Sequence, residues 1–353
     1  MDIIKQNQES GDNSTQIQIT NSKIYGLLSP EAVNQVINSF SELARAQVQA
    51  RIVEFSDNYL IPRIKKIENG LEAYKDPAYQ MLLIEASKNA AASSRTLDYS
   101  MLSELMARRF EKKEDIKSNA IISKAVDIIN LIDNDSLTAL SVIYFIVTHI
   151  RPVSAGIHDG LQLMENIFKK LISDTMLPVN NRWIDNLETL QTMKVLIPNL
   201  MSMNSFGVMC KGSLSGYMVV GIKKDSEEYL RYIDELCKVG LSKGLFVDHE
   251  LNDGYVRLNI VNKSQISDNK NLSAEQLDVL LKIFSETQTV QNSIDIDFVF
   301  DDYITKNFKN LALVRDFWNG LPPLELTALG RLLGYINLKR LAPECPDMDI
   351  EKI

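Results

Sequence analysis

The densest group of carboxylates in this sequence lies near its C-terminal end and comprises Asp295, Asp297, Asp301 and Asp302. Apolar and acidic residues alternate at the start of this group, which predicts a strand within residues 294–303. Asp295 and Asp297 would then share one face of the strand, where like charges repel each other. A divalent cation would relieve that repulsion, and metal-dependent nucleases use carboxylates in this way.

A nuclease site also needs a Glu-x-Lys motif or a histidine close by, and we find neither around these aspartates. We therefore interpret the group as a solvated acidic edge, because carboxylates on an exposed strand keep it from aggregating. The four aspartates remain the candidate metal ligands of the sequence. Our leading expectation is that the protein uses no metal and no cofactor.

The three histidines are the other side chains suited to acid–base chemistry. His149 follows an apolar helical pattern, so we expect a buried or helix-capping role. His158-Asp159 falls in a predicted loop beside Arg151 and Gly156, the one local group that acid–base or phosphate chemistry could use. His249 falls in a predicted hairpin and is expected to face solvent. No nucleotide-binding, hydrolase or metalloprotease signature occurs, so we assign no catalytic residue.

The composition is that of a soluble globular protein long enough for two or three domains. Of its 353 residues, 45% are hydrophobic and 24% charged, and sparse glycine and proline favour long helices. The net charge of −8 gives no general attraction to nucleic acid or anionic lipid. The three cysteines are far apart and form no CxxC pair, so we expect reduced thiols in a cytoplasmic protein.

Two predicted helices followed by a hairpin have the order of a winged helix and suggest a winged-helix-like module over residues 181–265. Asp253-Gly254, between two alternating arms, predicts a tight hairpin. If the module bound DNA, the helix before the hairpin would present Arg231 and Lys238, with Arg257 on the hairpin. Carboxylates outnumber the cations of that helix. We therefore favour contacts with protein and keep nucleic-acid binding through these three residues as the alternative.

A second basic run, formed by Arg108, Arg109, Lys112 and Lys113, ends a helix predicted over residues 97–110. Cations suit the negative end of the helix dipole, so we expect an exposed cap. A phosphate or nucleic-acid patch is the alternative, although neighbouring acidic residues dilute the charge.

The front of the chain carries a pattern that favours self-pairing. After the polar residues 1–13, Gln16, Ile17, Gln18 and Ile19 alternate with the period of a strand. A lone strand of this length is not stable in water and must pair. We favour pairing with the same segment of other copies, which Gln ladders and stacked Ile rows support. A strand docked on its own chain and a disordered tail are the alternatives.

The longest helical pattern follows, from Ser29 to about Ile67, and carries one apolar stripe. Ser29-Pro30 suits a helix start, and Pro62 is expected to kink or end the helix. The stripe is either a coiled-coil seam between subunits or a face packed on the chain's own helices. We assign to oligomerisation the stripe residues Val33, Ile37, Phe40, Ala44 and Val48.

Together these patterns predict a mainly α protein with four regions. Residues 1–27 form the oligomerising strand or tail and residues 28–180 an all-α helical domain. The winged-helix-like module, an α+β region, covers 181–265, and residues 266–353 form a helical region with a short strand. The most apolar run, Leu137–Ile150, is too short to span a bilayer, so we expect a buried helix.

Two short motifs resemble known bacterial proteins. Gly11-Asp12-Asn13-Ser14-Thr15-Gln16-Ile17-Gln18 resembles a prefix found on many uncharacterised bacterial proteins, several of them linked to phage defence. The segment 324–331, Leu-Glu-Leu-Thr-Ala-Leu-Gly-Arg, resembles the Leu-Thr-x-Leu-Gly ending of the bacterial abortive-infection alpha-type family, which follows a winged-helix-like region. The resemblance implies a bacterial cytoplasmic protein in defence or stress response, and it implies no reaction.

These observations favour a non-enzymatic, homo-oligomeric assembly or interaction protein, with copies of itself and another protein as partners. A nucleic-acid-binding regulator that works through the winged-helix-like module is the second hypothesis. A divergent metal-dependent enzyme that uses His158 or the four aspartates is the third.

Overall fold

The structure, a computed structural model, describes two compact units with the boundary between Leu131 and Ile132. Both units are mainly α-helical, as the sequence predicts. The description includes scattered positions from 34 to 38 and then residues 42–347, apart from 113–114, 150–155, 174–176, 181, 197–204 and 289–295.

Unit 1 consists of helices with short connections. Its helices are α1 (Glu42–Glu54), α2 (Ile61–Ile64), α3 (Pro77–Ala92), α4 (Thr96–Glu111) and α5 (Ile116–Ile128). A π-helical segment, Phe55–Leu60, joins α1 to α2, and 3-10 turns cover Gly70–Lys75 and Ile129–Leu131. The carboxylates of Asp76 and Asp115 accept hydrogen bonds from the first backbone amides of α3 and α5, which fixes where those helices begin.

The long helix predicted at the front of the chain is present where the structure describes it, from Glu42 to Ile64. Pro62 lies in α2, which continues directly from the π-helical segment, and α2 ends two residues later. The predicted ending is therefore confirmed, whereas the sequence gives no indication of the π-helical segment before it.

The described part of the apolar stripe packs inside unit 1. Val48, Ile52 and Phe55 are buried, and α1 packs on α3. This corrects the assignment of Val48 to oligomerisation, because a side chain in the core of its own unit does not reach another chain. Ile37 and Ala44 are half-buried. Outside the described residues lie the other oligomerisation candidates, Gln16, Ile17, Gln18, Ile19, Val33 and Phe40.

Unit 2 contains ten described helices and five strands. The helices are α6 (Asn134–His149), α7 (Ile157–Leu171), α8 (Arg182–Thr189), α9 (Phe206–Ser213), α10 (Glu227–Lys238), α11 (Ser264–Ser267), α12 (Ala274–Gln288), α13 (Ile296–Asn307), α14 (Lys309–Asn319) and α15 (Ala328–Leu341). The strands are β1 (Met193–Val195), β2 (Ile222–Lys223), β3 (Phe246–Asp248), β4 (Tyr255–Leu258) and β5 (Leu324–Leu326).

Helices α6 and α15, far apart in sequence, form the central pair of unit 2. Every residue of α6 from Ser136 to Ile146 is buried, so the apolar run is a buried helix as predicted. Asn337 on α15 donates a hydrogen bond to the Ser141 hydroxyl at 2.8 Å. A Cβ atom at Gly334 would lie 2.8 Å from the Leu140 carbonyl oxygen, so only glycine allows this close helix packing.

The Leu-Thr-Ala-Leu-Gly motif near the C-terminal end forms a tight joint between β5 and α15. Strand β5 pairs antiparallel with β1, and Met193 lies opposite Leu326. The Thr327 hydroxyl accepts from the Gly330 amide, which caps α15, and donates to the Gln191 carbonyl oxygen at 2.8 Å. A Cβ atom at Gly330 would lie 1.9 Å from the Thr192 carbonyl oxygen, so the motif has a structural reason in this chain.

One prediction of secondary structure in unit 2 is wrong. The segment 294–303, predicted as a strand, is helix α13 from Ile296 onward. In α13 the buried residues Ile296, Phe300 and Ile304 recur every four positions, and this helical spacing outweighs the short alternation that suggested a strand.

The region predicted as a winged-helix-like module forms a three-stranded antiparallel sheet in the order β2-β4-β3, together with α10 and α12. The predicted hairpin is confirmed, with Phe246 opposite Leu258 and Gly254 at a φ of 79° in the turn. The buried core of this region runs from Ile222 to Phe284.

The amino end of α14 is capped by a side chain from another helix. Phe308 precedes α14 and has no side chain that can accept a hydrogen bond. The Glu165 carboxylate of α7 instead accepts from the backbone amides of Asn310 and Leu311, at 3.2 and 2.7 Å. A negative charge also suits the positive end of the helix dipole, so this contact fixes α14 against α7.

Among the described helices, none combines the length and the apolarity that crossing a bilayer requires.

Candidate functional site

Unit 1 contains a cavity of about 710 Å³ where three of its elements meet. The 3-10 turn Gly70–Lys75, the start of α3 and the end of α4 form its walls. Its lining residues are Asn69, Glu72, Ala73, Lys75, Asp76, Tyr79, Arg109 and Phe110. We call it the Tyr79–Arg109 cavity. Its volume falls within the range of small-molecule sites, roughly 300–1,000 Å³.

Arg109 is the charged side chain that distinguishes this cavity. It lies in the last turn of α4 and is only 9% exposed, which corrects the expectation of an exposed helix cap. Its Nη1 atom is buried and forms no hydrogen bond with any residue that the structure describes. A buried donor without a partner loses its hydration without compensation, so the guanidinium keeps an unused donor in this wall of the cavity.

The neighbouring Arg108 is equally buried but is fully engaged. Its Nε donates to the Glu104 carboxylate at 3.1 Å, and Arg63 donates to the same carboxylate at 2.6 Å. Burial alone would raise the pKa of Glu104, but the two arginines outweigh it and hold that pKa below its usual value. Arg108 is therefore part of the fold of unit 1, and it is not a candidate for ligand binding.

Two tyrosines that contact each other belong to the same part of unit 1. Tyr79 lines the cavity, and Tyr74 packs edge-on against it with the ring centroids 5.6 Å apart. Neither buried hydroxyl has a hydrogen-bond partner among the described residues. Burial raises the pKa of Tyr74 to about 12 and raises that of Tyr79 further, although the nearby Arg109 opposes the rise. Both hydroxyls are therefore neutral donors near pH 7.

The remaining polar lining is of mixed charge. Lys75 and Glu72 form an exposed ion pair at 2.5 Å, and the Asp76 carboxylate caps α3 through the Ala78 amide. The cavity therefore combines a guanidinium and a phenol hydroxyl, which bind anionic oxygens, with carboxylates that accept hydrogen bonds from hydroxyl or amino groups.

The structure places His249 in the interior of unit 2, so the expectation that it faces solvent is wrong. Its Nε2 lies 2.7 Å from the Val219 carbonyl oxygen, and its Nδ1 accepts from the Leu251 amide at 3.1 Å. A neutral ring with the proton on Nε2 satisfies both contacts. Burial, which disfavours the charged ring, lowers the pKa of His249. Its role is to hold the loop around Val219.

Of the three nucleic-acid candidates, Arg257 is buried and cannot reach a phosphate. It is 1% exposed, and its guanidinium donates two hydrogen bonds of 2.9 Å to the Glu250 carboxylate. It also lies 4.1 Å from the centre of the Tyr217 ring. Sequence analysis misplaced it because a single exposed-looking arginine in an alternating strand does not show which face is covered.

The other two nucleic-acid candidates are exposed on α10 but are matched by carboxylates. Arg231 lies 3.3 Å from Glu286, and Lys238 lies 2.6 Å from Asp234. Phosphates would have to displace these partners, so the helix offers little net positive charge to a nucleic acid.

The aspartates proposed as metal ligands do not converge. Asp295 lies outside the described residues. The other three lie on helix α13, where Asp297 pairs with Lys211 at 3.5 Å and Asp302 with Lys306 at 2.5 Å, while Asp301 lies 3.9 Å from Arg315. Over the part of the chain that the structure covers, no three histidine, cysteine or acidic side chains are grouped so as to hold a metal ion.

The remaining two histidines lie at helix ends. His149 ends α6 and stacks on Phe145 with ring centroids 5.6 Å apart, which agrees with the expected capping position. His158 lies in the first turn of α7 rather than in a loop, and its Nδ1 is 2.9 Å from the Tyr303 hydroxyl. Arg151, its expected neighbour, lies outside the described residues.

Three helices of unit 2 that contact one another, α9, α13 and α14, each expose a large apolar side chain. Phe298 on α13 is 71% exposed, Leu313 on α14 is 50% exposed, and Val208 on α9 is also exposed. Aromatic side chains are enriched at protein interfaces relative to the rest of the surface. The sequence signal for it was the apolar Phe298 between aspartates, which we assigned to a strand.

The model of an uncharacterised family matches residues 31–353 of the chain. No curated protein and no solved structure matches it.

Proposed function

We propose, for a chain that belongs to an uncharacterised family over residues 31–353, a function in binding other protein chains rather than in catalysis. The observation that supports this most is the exposure of Phe298, with Leu313 and Val208, on three helices that contact one another. Burying an aromatic side chain of this size is a common source of binding energy at protein interfaces.

We further propose that the protein assembles with copies of itself through residues 14–20. The alternation of glutamine and isoleucine there favours pairing of identical strands. The helix that follows is anchored in unit 1 by buried Val48 and Ile52 and by a 2.9 Å hydrogen bond from Arg51 to the Ala91 carbonyl oxygen.

The setting we propose is the bacterial cytoplasm, in phage defence or stress response, on the strength of the two sequence motifs alone. The second of them, at residues 324–331, also has a purely structural explanation in the joint between β5 and α15. The resemblance is therefore supported mainly by the front-end motif.

Nucleic-acid binding is the second candidate function, and one observation favours it. A helix followed by an antiparallel hairpin, with a third strand beside it in the order β2-β4-β3, agrees with a winged-helix-like module. The cations of α10 are already paired, so we expect no shift of a DNA duplex at low salt. A salt-sensitive shift that Arg231→Ala weakens would favour this second function instead.

The assembly proposal is tested by native mass, measured by light scattering on a sizing column, for the full chain and for a chain that starts at Ser22. We expect the full chain to form a defined oligomer and the shortened chain to form a smaller species. Equal masses for the two chains would contradict assembly through residues 14–20. Metal-dependent turnover abolished by Asp297→Ala would contradict the non-enzymatic function as a whole.

A further inference from the structure

We infer that the Tyr79–Arg109 cavity of unit 1 binds a small molecule through an anionic oxygen group, a phosphate or a carboxylate, which the guanidinium of Arg109 holds.

Arg109 differs from the other buried arginines of the described residues in the partners of its guanidinium group. Arg108 pairs with Glu104, Arg257 with Glu250, and Arg315 with Asp316 at 2.8 Å. Arg109 is buried to the same degree as Arg108, and its Nη1 has no hydrogen-bond partner in the described structure. A buried guanidinium normally has an anion beside it, because an unpaired buried charge is strongly destabilising. In this chain the anion is supplied by the ligand.

The hydrogen-bond donors of Arg109 and Tyr79 suit an anionic oxygen group. A guanidinium presents parallel N–H groups that match a carboxylate or a phosphate, and lysine does not offer that geometry. The Tyr79 hydroxyl, also buried and without a hydrogen-bond partner among the described residues, lines the same cavity and provides a neutral donor. The aromatic and aliphatic lining of Phe110 and Ala73 leaves room for the apolar part of a ligand.

The acidic part of the cavity lining restricts what the rest of the ligand can be. Glu72 and Asp76 line the cavity as well, and carboxylates repel a bare anion but accept hydrogen bonds from hydroxyl or amino groups. A ligand that suits the whole cavity therefore has an anionic group at one end and hydrogen-bond donors elsewhere. Phosphorylated sugars or nucleosides, amino acids and hydroxy acids have this chemistry, and inorganic phosphate alone does not.

Isothermal titration calorimetry on the full chain tests the inference with five probes: inorganic phosphate, adenosine monophosphate, glucose 6-phosphate, glutamate and malate. We expect saturable binding of at least one organic probe, and weaker binding of inorganic phosphate. Hydrogen exchange should locate the protection in residues 70–79 and 105–112. Whether a phosphomonoester or a carboxylate binds more tightly identifies which of the two groups Arg109 holds.

Variants connect the binding to the cavity. Arg109→Met, which removes the charge at similar volume, should weaken binding by roughly ten- to a hundredfold, as the loss of charged hydrogen bonds does. Tyr79→Phe removes one hydroxyl and should weaken it by less, and it serves if Arg109→Met does not fold. Lys112→Ala, a cation on the same basic run outside the cavity lining, is the matched control and should leave binding unchanged.

The inference is overturned if none of the five probes binds saturably, or if binding survives unchanged in both Arg109→Met and Tyr79→Phe. The readout is ligand binding to unit 1 and does not depend on native mass, so it stands or fails separately from the proposed assembly.

Discussion

At the scale of single residues, the structure shows that several polar side chains with chemical potential are used to hold the fold. His249 is the clearest case, because both of its ring nitrogens are engaged by backbone groups of its own unit. Glu250, next to it in sequence, is occupied by Arg257. The Val219 loop and the β3–β4 hairpin are thereby connected by polar contacts in the interior of unit 2.

His249 should make unit 2 sensitive to acid. Its pKa is lower in the folded protein than in the unfolded chain, so the unfolded state binds more protons as the pH falls below about 6.5. Stability contributed by the neutral ring is fully present above that pH and is lost as the pH falls toward the folded pKa. The loss has a slope of at most about 1.4 kcal/mol per pH unit.

The measurement uses the two tryptophans of the chain, Trp183 and Trp318, which both lie buried in unit 2 and report its unfolding. We expect urea unfolding of the normal chain to need less urea at pH 5 than at pH 7. His249→Gln should lower stability at pH 7 and reduce this pH dependence. His158→Gln, at an exposed histidine, is the control. An equal reduction of the pH dependence of stability in that variant would rule out His249 as the cause.

At the scale of secondary-structure elements, the joint between β5 and α15 depends on the absence of one methyl group. Gly330→Ala would place a Cβ atom 1.9 Å from a backbone oxygen that β1 and the Thr327 amide hold in place. We expect the free energy of unfolding to fall by about 1–3 kcal/mol, the usual cost of overpacking. Tryptophan fluorescence in urea measures it.

Gly320→Ala provides the matched control for this substitution. Its Cβ atom would lie 3.5 Å from the nearest backbone oxygens, which is an ordinary contact, just beyond the end of α14. A stability of Gly330→Ala within experimental error of Gly320→Ala would contradict the tight joint that the structure describes.

At the scale of the whole molecule, assembly should appear as a dependence of stability on concentration. If copies bind through residues 14–20 in the folded state only, mass action raises the unfolding midpoint as the protein concentration rises. We expect the thermal midpoint of the full chain to increase over a hundredfold range of concentration. The chain that starts at Ser22 should show a constant midpoint. A constant midpoint for both chains at all concentrations would contradict a folded-state oligomer of this kind.

What the sequence predicts correctly at this scale is set by local chemistry. The mainly α class, the hairpin at Asp253-Gly254 and the end of the front helix near Pro62 follow from a few neighbouring residues, and the structure confirms them. These signals succeed because a turn or a helix start is decided within about four residues.

The features that sequence analysis misses depend on distant partners. Arg109 looks like an exposed helix cap until the turn Gly70–Lys75 and Tyr79 cover it, and those residues lie thirty or more positions away. His249 and Arg257 are covered in the same way by Val219 and Tyr217. The prediction of a strand over 294–303 is wrong for another reason, because alternation over four residues cannot outweigh a longer helical period. Burial of a polar side chain is therefore the property least visible in this sequence.

The π-helical segment Phe55–Leu60 has a consequence for which face of α1 lies in the core of unit 1. An α-helix turns by about 100° per residue, so each residue that a π segment accommodates changes the rotational phase between the helix before it and the helix after it. Buried Ile61 and Ile64 fix α2 in unit 1, and buried Val48 and Ile52 fix α1, so the π segment holds the two helices at the rotational phase that buries both sets. Deleting a single residue between 55 and 60 would turn the buried face of α1 by about a quarter of a turn out of the core of unit 1.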